Sequence, residues 1–291
     1  VSVQEPPNGK QTRRSWADLG PRLASAVVLV PVTAIALYFG GYLFAAAVGA
    51  VFAGAYREWE TMVTLKPLSP FGILLIGGLF VASLLYPQWG PLATLALVAL
   101  GAIVALLRGG EGAIWRAGGL VYFGVVIIAV LGIRGPLPPG AWGALPLGIW
   151  GGVLLGAVIW LTDTGAFFTG RQIGGEKLAP DISPGKTRSG AIGGLVLGTI
   201  AGLVIWHFVT PSPLWIGLVF CAAMSVLGQL GDLAESALKR RFRIKDSGDI
   251  IPGHGGLMDR LDSLTFGALF FYAVGVLHLG QGMIAPGFLN W

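Results

Sequence analysis

The chain has 291 residues, 54% of them hydrophobic and only 11% charged, with a mean hydropathy of +0.76. An ordinary soluble domain carries roughly 25% charged residues, so a water-soluble fold is excluded. The net charge of +5 does not point to nucleic acid, because the basic residues alternate with apolar stretches and form no continuous stripe.

Residues 1–22 carry Lys10, Arg13, Arg14 and Arg22 ahead of an apolar run. That run, Leu23 to Phe39, has no convincing cleavage site and is followed by more like it. It reads as an uncleaved first helix. Crossing a bilayer takes about 17–25 mostly apolar residues. Nine stretches qualify: 23–39, 42–63, 70–86, 90–107, 118–134, 146–168, 190–209, 213–237 and 262–284. Gly-Gly, Pro or charge marks the joints, as at Gly40-Gly41, Pro67, Pro87, Gly109-Gly110 and the PLPP run at 136–139. The 47 glycines suit helices that pack closely through small side chains.

The expected fold is therefore all-α, a polytopic membrane bundle of about nine helices with a cytoplasmic N-terminus. With that orientation 18 of the 19 Lys/Arg fall on the cytoplasmic side, Arg134 being the exception. Such an asymmetry is what the positive-inside rule requires. Three parts are expected: a basic segment 1–22, a scaffold of about five helices over 23–140, and a catalytic domain of about four over 141–291. In the scaffold, Arg57 and the acidic pair Glu58 and Glu60 read as a solvated helix end. Trp206 and Trp215 fit an interfacial belt, His207 and His278 read as interfacial polar residues, and Cys221 reads as inert packing.

Two polar regions interrupt the later spans, and both face the cytoplasm in this topology. The first, 162–190, reads TDTGAFFTGRQIGGEKLAPDISPGKTRSG. Asp163 near the end of its span is a functional candidate, since an intramembrane carboxylate is costly; capping a broken helix beside Gly165 is the other reading. The SPGKT segment, Ser183 to Thr187, is expected as a turn presenting Lys186 to a triphosphate. It is not a Walker A loop, because the GxxxxGK spacing and a preceding strand are both missing.

The second region begins at the end of the eighth span. Asp232, Glu235, Ser236 and Lys239 are spaced i, i+3, i+4, i+7 and so share one helical face. Pairing of Glu235 with Lys239 would explain one carboxylate and leave Asp232 alone. Across the connection, Asp259 and Asp262 open the ninth span with Arg260 between them. Helix capping would account for Asp259 alone. A hard cation shared by Asp232 and Asp259 would account for more; oxygen donors without a Cys or His cluster favour Mg²⁺. In KRRFRIKDSGDIIPGHGG, Lys239, Arg240 and Lys245 stand nearest the carboxylates as phosphate partners, whereas Arg241 and Arg243 read as a lipid anchor. Gly253, Gly255 and Gly256 permit close backbone approach to phosphate. His254 is either a proton donor to phosphate or a structural residue.

From Ser236 to Asp262 the residues Ser236, Lys239, Arg240, Lys245, Asp246, Gly248, Pro252, His254, Gly255, Gly256, Asp259, Arg260 and Asp262 fall in a single pattern. It closely resembles the signature of phosphatidate cytidylyltransferases (CDP-diacylglycerol synthases). DTGAFFTGR, KLAP, SPGKT and GDLAES are also similar, so the likeness covers about 160–265 and elsewhere is one of hydropathy only. The resemblance implies an inner-membrane enzyme of phospholipid biosynthesis that makes CDP-diacylglycerol and pyrophosphate from CTP and phosphatidic acid. It implies Mg²⁺, allows K⁺ as a second cation, and suggests a homodimer. Asp232 and Asp259 match the family's metal positions, with Glu235 beside them. Lys239, Lys245, Asp246 and His254 join those two aspartates as catalytic candidates. Substrate-binding candidates are Asp163, Lys186, Ser236, Arg240, Gly255, Gly256, Arg260 and Asp262. Two other readings remain: an ion-coupled transporter, against which no inverted repeat is evident, and a CTP-dependent kinase of isoprenoid alcohols.

Overall fold

The computed structural model describes residues 30–110, 112–136, 146–248 and 256–291. The basic segment 1–22, the start of the first expected span, most of the PLPP run, and Gly253, His254 and Gly255 lie outside the described residues. The chain forms helices α1 (Val30–Phe39), α2 (Gly41–Thr64), α3 (Pro70–Arg108), α4 (Ala113–Arg134), α5 (Leu147–Gln172), α6 (Arg188–Val209), α7 (Leu214–Arg241), α8 (Asp262–Leu279) and α9 (Ile284–Leu289). Six of these, α3 to α8, are long and apolar enough to cross a membrane. Leu92, Leu107, Phe208 and Leu277 stand exposed on the outer faces, as side chains do where the surroundings are hydrocarbon.

The third and fourth expected spans share α3, and Gly90 separates them with φ 71° between Pro87 and Pro91. Thr94 Oγ1 donates to the Ala82 carbonyl at 3.0 Å. A continuous helix would hold residues twelve apart about 18 Å from each other at 1.5 Å per residue. The chain therefore turns back at Gly90, and α3 is two antiparallel arms. At the other end of the molecule the expected span 262–284 is too long. The helix stops at Leu279, Gly280 takes φ 83°, and α9 folds back. The carbonyl of Leu289 there accepts from Thr210 Oγ1 and Ser212 Oγ at 2.5 and 2.7 Å.

Arg134, the exception to the charge asymmetry, is buried. Its guanidinium donates to the carbonyls of Leu37, Tyr38 and Gly135. Two of these end α1, whose last carbonyls lack helical partners. Arg134 is thus a structural cap, and its position carries no topological information.

Two apolar cores form. One joins α2, α3 and α4 around Tyr56, Phe123 and Ile127; the other joins α5 to α9 around Leu154, Trp206, Phe271 and Phe288. Trp206 is fully buried and donates Nε1–H to Ser212 O at 3.2 Å, so it is a core residue and not part of an interfacial belt. Trp215 is exposed. His278 stacks on Trp291 at 4.0 Å. Helices α5 and α6 pack closely through glycine: a methyl on Gly194 would meet the Thr162 carbonyl oxygen at 2.6 Å.

Between these two helices lies the one departure from all-α architecture among the described residues. Strand β1 (Lys177–Ala179) pairs antiparallel with β2 (Ser183–Thr187), Lys177 standing opposite Thr187. The SPGKT segment is therefore a strand and not a turn, and a strand does precede it. The turn falls earlier, where Ile182 N–H donates to Ala179 O at 3.2 Å. Strands of three and five residues are too short to show alternation, so the hairpin left no periodic signal. Thr187 Oγ1 accepts from Gly190 N–H and caps α6, which fixes the direction in which β2 arrives.

Candidate active site

The ends of α5, α7 and α8 meet the hairpin and the α7–α8 connection at one polar locus. Lys186 on β2 places Nζ 2.6 Å from Asp232 Oδ2 on α7. Asp163 on α5 and Asp262 on α8 lie within electrostatic reach of Asp232, of Lys186 and of each other, and Arg260 is within reach of Asp163. Three carboxyl groups from α5, α7 and α8 thus gather around Lys186, with Arg260 also within reach. Thr162 Oγ1 and Ser225 Oγ, 2.8 Å apart and buried, tie α5 to α7 next to it.

A second cluster adjoins it one turn along α7. Lys239 Nζ lies 3.1 Å from Glu235 Oε1 and 2.5 Å from Asp259 Oδ1. The i,i+4 pair expected from sequence exists, but Lys239 also bridges to the far side of the connection. Asp259 belongs to a 3₁₀ turn, Met258–Arg260, ahead of α8. Its Oδ2 accepts the backbone N–H groups of Ser247 and Gly256, each at 3.2 Å. Asp259 therefore does not cap α8, which begins at Asp262 without a side-chain cap; Asp262 accepts from its neighbour Ser263 N–H at 2.7 Å. Burial alone would raise the Asp259 pKa, but the Lys239 ammonium and the Ser247 N–H hold it below the ordinary carboxylate value.

The two aspartates expected to share a cation thus engage different lysines, Asp232 with Lys186 and Asp259 with Lys239. Among the described residues no three acidic, His or Cys side chains converge to hold a metal unaided. The donor set is all carboxylate oxygen. It suits Mg²⁺, which characteristically takes one or two protein carboxylates and completes its shell with water and substrate phosphate.

Other expected site residues are less closely knit. Ser236 is half-buried on α7, and Lys245 and Asp246 are exposed on the connection. Arg240 donates to the carbonyls of Ile182 and Ile244 at 3.3 and 3.1 Å, tying the hairpin turn to the end of α7. Arg241 lies over the Trp115 ring at 5.4 Å. Gly256 is buried against Ser247, Glu58 and Asp259. His254 and Gly255 lie outside the described residues.

Glu58 and Glu60 overturn the expectation of a solvated helix end: their exposures are 2% and 1%. Glu60 pairs with Arg116 at 2.7 Å. Glu58 accepts from Ser247 Oγ, Leu257 N–H and Met258 N–H at 3.0, 2.9 and 2.9 Å. Only Arg57 is exposed. The available signal was the cost of acidic residues next to Trp59 inside an apolar span.

Beside the two clusters lies an apolar cavity of about 340 Å³, walled by Trp59, Trp115 and Tyr122 on one side and by Ala234, Leu238 and Phe266 on the other. Glu235 and Asp262 form its polar corner. There Tyr122 Oη and Thr265 Oγ1 are 2.5 Å apart. Gly118 lines the cavity, and a methyl added to it would meet nothing within 4 Å.

The family model described as "Cytidylyltransferase family" matches residues 21–278. The chain belongs to the cytidylyltransferase family. A phosphatidate cytidylyltransferase of Brucella abortus biovar 1 (strain 9-941) is 34% identical over 286 residues, covering 94% of this chain and 100% of the relative. The Brucella suis protein of the same name is 35% identical over 90% of this chain and 94% of its own. That of Bacillus subtilis (strain 168) is 50% identical over 117 residues, 40% of this chain and 43% of the relative. This cytidylyltransferase is accordingly a nucleotidyltransferase enzyme of phospholipid biosynthesis, built of membrane-crossing helices.

Proposed function

We propose that the chain transfers CMP from CTP to phosphatidic acid, releasing pyrophosphate and leaving CDP-diacylglycerol in the membrane. The observation that carries this reading is the pair of neighbouring carboxylate–lysine clusters, Asp232 with Lys186 and Asp259 with Lys239, where α7 meets β2 and the turn before α8. Family membership and the names of the relatives support it. A phosphatidate oxygen attacks the α-phosphorus of CTP, the new P–O bond forms, and the bond to the β-phosphate oxygen breaks. The attacking phosphate is already anionic near neutral pH, so no covalent nucleophile on the protein is required. Catalysis then consists of positioning and charge neutralisation.

Asp232 and Asp259, with Glu235 adjacent, would hold Mg²⁺, which supplies charge neutralisation at the triphosphate; K⁺ fits as a second cation. Lys186 and Lys239 exchange their carboxylate partners for phosphate oxygens when the site fills. Arg240, Lys245 and Arg260 add positive charge at its rim; Gly256 is a phosphate-binding candidate beside Asp259, and His254 and Gly255 are candidates by sequence alone. The apolar cavity beside Glu235 and Asp262 takes the acyl end of the lipid. Its volume lies within the usual range for ligand sites, about 300–1,000 Å³.

The molecule works as a homodimer in the cytoplasmic membrane, with nine spans, a cytoplasmic N-terminus and the site facing the cytosol. The charge asymmetry and the two arms of α3 support that topology. Incubating purified protein with labelled CTP and phosphatidate tests the reaction. Label in a lipid-linked CMP is the expected product. Lipid-linked phosphate on an isoprenoid alcohol would indicate a kinase, and no transfer to any lipid would favour a transporter.

A further inference from the structure

Glu58 comes from α2, in the half of the chain that carries few ionisable groups, yet its carboxylate hydrogen bonds go to the α7–α8 connection. Oε1 accepts from Leu257 N–H, while Oε2 accepts from Ser247 Oγ and Met258 N–H. A buried carboxylate is costly unless its oxygens are satisfied, and here three donors satisfy them. All three belong to the two limbs that enter and leave the segment between Ser247 and Leu257.

Asp259 grips the same two limbs, taking Ser247 N–H and Gly256 N–H on Oδ2. Ser247 thus gives its backbone donor to one carboxylate and its hydroxyl to the other. Successive amides at 256, 257 and 258 divide between the same two groups. Glycine makes the approach possible. A methyl on Gly248 would fall 2.6 Å from Glu58 Oε1, and one on Gly256 would fall 2.8 Å from Oε2. The amide held by Glu58 at Met258 immediately precedes Asp259, whose Oδ1 meets Lys239.

We propose that Glu58 is a positioning residue for the transfer reaction: it fixes Asp259 opposite Lys239 by holding the backbone on both limbs of the connection. This rests on the reaction proposed above. Helix α2 is anchored to α4 by other groups, Glu60 to Arg116 and Trp59 Nε1–H to the Trp115 carbonyl at 2.8 Å. Its packing therefore does not depend on the Glu58 carboxylate.

The experiment is Glu58→Gln, which keeps shape and one acceptor oxygen but turns an NH₂ group toward backbone donors. The expected result is a fall in kcat of about 10- to 100-fold, the scale of a misplacement near 1 Å. KM for CTP should stay within about threefold, since ground-state binding is not what is lost. Amide exchange should accelerate at Leu257 and Met258 while α2 keeps its protection. Turnover at the wild-type rate would overturn the proposal, and so would a loss of activity matched by lost protection along all of α2. Should the variant not fold, exchange in the wild-type enzyme decides. Protection at Leu257 and Met258 comparable with α8 upholds the proposal, and exchange at the unprotected rate ends it. A wild-type protein that made no CDP-diacylglycerol would end the reading of the reaction and leave the exchange result to be judged separately.

Discussion

Lys239 Nζ and Asp259 Oδ1 stand 2.5 Å apart across the α7–α8 connection, joining two helix ends that sequence alone could only place on the same side of the bundle. Lys239 holds Glu235 on its own helix at the same time. One ammonium therefore aligns two carboxylates.

Replacing Asp259 by Ala should abolish transfer of CMP while the protein still inserts and purifies. Loss of an electrostatic group that acts at the reacting phosphates costs about 10²–10³-fold or more. Turnover retained at saturating Mg²⁺ would remove Asp259 from the metal site. The same residue gives a pH signature. Its folded pKa is lowered, so its contribution to stability is complete above the unfolded carboxylate value of about 3.9 and is lost as pH falls through the folded value. The difference in unfolding midpoint between wild type and Asp259→Asn should be constant from about pH 8 to pH 5 and should shrink only below about pH 4.

Lys186→Ala removes the partner of Asp232. If the lysine passes to a phosphate oxygen when CTP binds, KM for CTP should rise by about tenfold, the scale of one charge-assisted hydrogen bond. KM for phosphatidate should change little. Steady-state kinetics with each substrate varied in turn measures this, and equal shifts in both would place Lys186 elsewhere.

Arg241→Ala should cost less than about twofold in activity. The exposed Arg241 guanidinium lies over the Trp115 ring, and a contact of that kind contributes about 0.5–1 kcal/mol. A complete loss would show that Arg241 reaches the substrate.

Gly118→Leu tests the lipid cavity, because the new side chain enters space that no protein atom fills. Transfer to long-chain phosphatidate should fall several-fold relative to a short-chain analogue. Unchanged selectivity between the two would mean that the acyl chains lie outside this cavity.

The long apolar helices were legible because lipid imposes length and hydropathy together; among the described residues the expected spans from 42 to 237 fall on α2 to α7, while the last overran α8 at Leu279. The reversal at Gly90 lies at the joint that Pro87 marked in the sequence, and the two arms of α3 are the third and fourth expected spans. Residues 177–187 were misjudged because a hairpin of eight strand residues, three in one strand and five in the other, is too short to show a period. Within the site, spacing along α7 gave the face of Asp232, Glu235 and Lys239. It could not give their partners, because Lys186 and Asp259 arrive from other elements at distances set by tertiary packing. Glu58 was missed because a carboxylate near a helix end reads as solvated until the connection that covers it is in place.

Binding of Mn²⁺ in place of Mg²⁺, followed by electron paramagnetic resonance in the presence of CTP, probes the carboxylate pair without reliance on turnover. One tightly held ion is expected in the wild-type protein, lost both in Asp232→Asn and in Asp259→Asn. Equal affinity in all three proteins would contradict a cation held jointly by the ends of α7 and α8.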